Sequence, residues 1–155
     1  MTKKEQREKL KWALGQVERT EKHISELERR LERINEEKET PIGSAGYSPL
    51  PRSTGKGSGA ASILLLLSDI EERIYDQKEE LEKSVIRTME IIEFIPLHST
   101  ARRIFELRHI DCMRWEDVAA AIPMARSNCA RHYNEALDKL LQYQKIQDII
   151  GRQQD

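Results

Sequence analysis

Aromatic residues are scarce, with 2 Trp, 4 Tyr and 2 Phe in 155 residues. That argues against a thick globular core and suits helices with narrow apolar seams. The 2 cysteines have no framework spacing, so a disulfide scaffold is excluded and free thiols in a reducing compartment are expected. Of the 7 Gly and 5 Pro, eight fall between residues 40 and 60, which leaves the rest of the chain open to long helices. No apolar run approaches a bilayer span; the leucine run Leu64, Leu65, Leu66, Leu67 is a single turn. The first residues are charged and lack the apolar stretch of a secretory leader, so a cytoplasmic location is expected. Net charge is −1. Any attraction to nucleic acid must therefore be local rather than bulk.

Charge is abundant, at 34% of the chain, and it is patterned. Between residues 4 and 38, Leu10, Val17, Ile24 and Leu31 recur every seven positions. Ala13, Thr20, Leu27 and Ile34 form the companion repeat, giving an a/d seam. Pairs such as Glu5/Lys9, Glu18/Lys22 and Glu26/Arg30 place acid four residues before base, the favourable order. One long helix is expected, with Gly15 as a weak point worth about 1 kcal/mol. A second helix is expected over 62–94, with Ile63, Leu67, Ile70, Ile74, Leu81, Val85, Met89 and Ile92 as its seam. Folded on each other, the two would make a long antiparallel, coiled-coil-like hairpin. Leu64, Leu65 and Leu66 lie around the seam, and leaving them in water is costly.

The 40–60 segment reads as a linker or an ordered loop. It has no acidic residue but carries Arg52 and Lys56, so it is a hinge first and a phosphate-touching loop second. Its Gly55-Lys56-Gly57-Ser58 lacks the glycine spacing of a nucleotide-binding loop.

The most informative stretch is 115–140. Val118, Ala119 and Ile122 share a face over 115–122. Pro123, Met124 and Ala125 interrupt. Cys129, Tyr133, Ala136, Leu137 and Leu140 share a face on a longer second helix. This is the pattern of a helix-turn-helix whose second helix enters a DNA major groove. The opposite face carries Arg126, Ser127, Asn128, Arg131 and Asn134. Arginine can pair bidentately with guanine and asparagine with adenine. Arg102, Arg103, Arg108 and Arg114 make the preceding edge locally basic. With Lys139, and with Ser127 as a further donor, they are candidate phosphate contacts. The expected fold is therefore all-α. Residues 1–39 form the charged helix, 40–60 the linker, 61–95 the second helix and 96–150 the DNA-binding module.

The run from Ile104 through Leu107-Arg108-His109-Ile110 and Trp115-Glu116-Asp117-Val118-Ala119 to Ala136-Leu137-Asp138-Lys139-Leu140 resembles region 4 of sigma-70-type factors. More narrowly it is similar to phage transcription regulators of the RinA/ArpU type. The resemblance covers the last third of the chain. It implies a regulator of late, packaging or lysis genes that contacts host RNA polymerase in a bacterial cell. The chain departs from that pattern at Cys112 and Pro123, where Gly is usual, and at Arg114 and Ala125, where a capping Ser is usual.

Metal chemistry has one opening: His109-x-x-Cys112 and Cys129-x-x-His132 have ligand spacing. Cys129, however, falls on the apolar face and reads as a small core hydrophobe. No nucleophile, base and orienting group occur in a supporting context. The expectation is no enzyme, no cofactor and no metal. It is a DNA-binding regulator, expected as a homodimer. Two alternatives stand beside it: a small terminase-type packaging subunit and a coiled-coil adaptor that does not touch DNA.

Overall fold

The computed structural model describes residues 1–39 and 58–152. The regular structure of the described residues is all helix, with no strand among them. In order they are α1 (Lys3–Leu14), α2 (Gln16–Glu39), α3 (Ser58–Ile92), α4 (Thr100–Phe105), α5 (Trp115–Ala121), α6 (Arg126–Leu140) and α7 (Gln144–Arg152). None is long and apolar enough to cross a membrane. The expected loop residues Arg52 and Lys56 lie outside the described residues, whereas Gly59 and Ala60 belong to α3.

The chain divides into two compact units. The first joins Met1–Thr20 to Leu81–Asp155; the second is Glu21–Glu80.

In the first unit one core is built from almost every element. Leu10, Ala13 and Leu14 of α1 meet Ile91 and Ile92 of α3, Ile104 and Phe105 of α4, and Val118 of α5. Cys129, Tyr133, Ala136, Leu137 and Leu140 of α6 complete it with Ile146 and Ile150 of α7. Thr2 starts α1 with a capping box, its hydroxyl accepting from the Glu5 amide while Glu5 accepts from the Thr2 amide. Arg7 of α1 then forks onto Asp138 of α6 at 2.6 and 2.5 Å. That pairing holds the Asp138 carboxyl below the usual carboxylate range.

The single N-terminal helix expected from the heptads is two helices. Gly15 interrupts them, its amide shared between the carbonyls of Lys11 and Trp12. The Arg19 guanidinium lies 3.6 Å from the Trp12 ring centre and donates to the Trp12 carbonyl at 2.6 Å. A methyl group on residue 15 would sit 2.7 Å from that guanidinium. The final helix also divides. Turns at Gln142 and Tyr143 separate α6 from α7, and Gln147 donates to the Leu141 carbonyl at 2.6 Å. Beyond Leu140 the chain therefore folds back, with Ile146 and Ile150 buried and Tyr143 exposed.

The second unit has a smaller core: Leu27 and Ile34 from α2 with Leu67, Ile70 and Ile74 from α3. Ile63, Leu31 and Leu66 pack at its margin. All but Leu66 are expected seam positions. Met89 of the first unit, also expected in the seam of α3, is exposed.

Candidate nucleic-acid interface

Helix α4 is capped by Ser99, whose hydroxyl accepts from the Arg102 amide at 3.1 Å. Its end widens into a π-helical turn, Glu106–Ile110, closed by the Asp111 amide on the Glu106 carbonyl at 3.0 Å. The wider turn carries His109 inward. Its ring Nε2 lies 2.9 Å from the Tyr133 hydroxyl. Phe105 stacks on Tyr133 at 4.7 Å between centroids, and Trp115 meets the same ring edge-on at 4.9 Å. Four rings from α4, the π-turn, α5 and α6 thus fix the inner face of α6. Burial pushes the His109 pKa down to about 3, so the ring is neutral, and raises that of the Tyr133 phenol. His109, whose spacing from Cys112 suits a metal ligand, is instead paired with Tyr133, a bond the spacing does not announce. The available signal was Phe105 and His109 at i, i+4 beside a lone Tyr on the inner face.

Cys112 turns the chain into α5 with φ at +55°. Helix α5 ends at Ile122, and the Met124 amide reaches back to the Ala119 carbonyl at 3.1 Å. That is the outer bond of a Schellman turn, whose next residue after the cap needs positive φ. The residue there is Pro123, which has no amide to make the inner bond. Ala125 caps α6 with no side-chain hydrogen bond, and Arg114 does the same for α5. Arg126 is thus the first residue inside α6.

On α6 the expected inner residues Cys129, Tyr133, Ala136, Leu137 and Leu140 are buried. Arg126, Ser127, Asn128, Arg131 and Asn134 are all exposed. Arg126 pairs with Glu116 at 3.0 Å and Arg131 with Glu135 at 3.9 Å. Exposed pairs of this kind are worth about 0–1 kcal/mol, so either guanidinium leaves its partner cheaply. Among the described residues the side chains of Ser127, Asn128 and Asn134 make no hydrogen bond.

The arginines of the preceding edge divide. Arg102, 21% exposed, bonds Glu106 at 3.2 Å and the Ile95 carbonyl at 3.3 Å. Arg108 holds the Met113 carbonyl at 3.0 Å, pairs with Glu18 at 3.3 Å and lies over Trp115. Both tie elements together. Arg103 is exposed with no partner among the described residues, and Arg114 is exposed beside Asp117 at 3.4 Å. Lys139 is exposed and lines a cavity of about 340 Å³ with Phe94, His132 and Tyr143.

Cys129 is buried in the core and Cys112 half-buried. Among the described residues no three His, Cys, Asp or Glu side chains gather as a metal site would require. Charge is uneven between the units. The first holds 17 Lys and Arg against 14 Asp and Glu, net +3; the second holds 9 against 13, net −4. No protein-family model, curated protein or solved structure matches the chain.

Proposed function

We propose that this chain is a sequence-specific double-stranded DNA-binding protein. In this reading α5 and α6 act as a helix-turn-helix and α6 enters the major groove. The observation that carries the reading is the division of α6: five polar side chains able to read base edges on the solvent face, five apolar ones sealed on the other. Two further features support it. The unit that contains α6 carries the positive balance. Cys112, which replaces a glycine of the sigma region 4-like pattern, has the positive φ that glycine would serve.

Arg126, Ser127, Asn128, Arg131 and Asn134 are proposed base-edge contacts. Arg103, Arg114 and Lys139 are the proposed phosphate contacts. Arg102, expected beside them, contributes only if it gives up Glu106 and the Ile95 carbonyl. The proposed role is transcription regulation of the phage type in a bacterial cytoplasm, with host RNA polymerase as partner. That part rests on the resemblance. We propose no catalytic activity and no cofactor. In the second unit, α2 and α3 are proposed to run antiparallel as a hairpin.

Two substitutions test the assignment. Arg131→Ala should cost about 1–3 kcal/mol on the preferred site and relax specificity at one base position. Arg103→Ala should weaken binding to all sequences alike and lower the salt slope by about one. Equal affinities of Arg131→Ala and wild type on the preferred site would remove Arg131 from the interface.

A further inference from the structure

In a chain that is 34% charged, residues 58–68 contain no charged side chain. They form the first three turns of α3 in the second unit. Leu67 turns into the core, but Leu64 is 54% exposed and Leu65 is 73% exposed. Gly59, Ala60 and Ala61 on the preceding turn are small and also exposed. Two adjacent leucines in water at the start of a helix are an unpaid debt in a unit whose core cluster, among the described residues, is small.

We propose that this end of α3 is the self-association surface, and that its occupant is the same face of a second copy. In a two-fold interface each residue near the axis meets its own counterpart. Any charge there would face its own sign. The rest of this unit, net −4, would repel itself; this stretch is the part that does not. Small residues beside the leucines let two helix backbones come close. The interface is independent of the DNA-binding reading and stands or falls by mass alone.

The test is sedimentation equilibrium of the full chain across a concentration series. Wild type should reach twice the 18.1 kDa chain mass. Leu65→Gln should raise the dimer dissociation constant at least about tenfold, a loss of one buried side chain. Leu64→Glu with Leu65→Glu should give a monomer of unchanged helix content. Ile86→Glu, on an exposed position of α3 outside this stretch, should leave the dimer intact. A wild-type monomer at every concentration overturns the proposal, as does a ring of eight or more copies. A Leu65→Gln protein that dimerises as well as wild type overturns the choice of surface.

Discussion

Three residues hold conformations or charge states that their neighbours impose. Pro123 has no amide and forgoes the inner Schellman bond, and Cys112 at φ +55° is a side chain in a glycine-like position. Pro123→Gly should therefore stabilise the protein by about 1–2 kcal/mol, and Cys112→Gly by about 1 kcal/mol, read as higher urea midpoints at unchanged slope. His109 is the third. Its folded pKa, near 3, lies below the ordinary 6.5. The unfolded chain therefore takes up a proton first as pH falls. The stability this ring contributes is complete above pH 6.5 and is lost between 6.5 and 3, at about 1.4 kcal/mol per pH unit. In His109→Gln that part of the slope should vanish while the carboxylate part remains. An identical slope in both proteins would place the loss elsewhere. The sequence named these residues but not their states. Nothing in its periodicity told that a π-turn would rotate His109 under Tyr133.

At the scale of elements, apolar spacing located the helices well and their ends poorly. The seam residues Leu10, Val17, Ile24, Leu27 and Ile34 are buried as the heptads require. The break at Gly15 was visible only as a propensity cost; the later Arg19 reaching back over Trp12 beside it could not be read from spacing. Likewise the α6–α7 turn has no Gly or Pro to announce it. The turn between α5 and α6 was legible because Pro123 stands in it. Helix α6 starts on Ala125, which leaves its first amides without a side-chain acceptor. Ala125→Ser should add about 1 kcal/mol to stability in thermal or urea unfolding. It should leave the exposed polar face where it is. A neutral or destabilising effect would mean that another group, or water, already serves those amides.

For the whole molecule, local patterns could not say that Met1–Thr20 folds with the C-terminal elements. That depends on Leu10, Ala13 and Leu14 meeting residues such as Ile91 and Ile146, far apart in sequence. The two cores differ in depth, so the units should differ in opening energy. Native-state hydrogen exchange should show the slowest amides in α6 and markedly faster exchange across α2 and α3 within Glu21–Glu80. Equal protection in both would contradict this ranking of the two cores. The exposure of Arg126, Ser127, Asn128, Arg131 and Asn134 was legible, because exposure of one α6 face follows directly from burial of the other. The most direct measurement of the central claim is genome-wide footprinting of the full chain on bacterial and phage DNA, repeated with Arg131→Ala. The account predicts a discrete set of protected sites sharing one sequence, with preference at one position lost in the variant. Protection without a shared sequence, or none at any salt concentration, would contradict it.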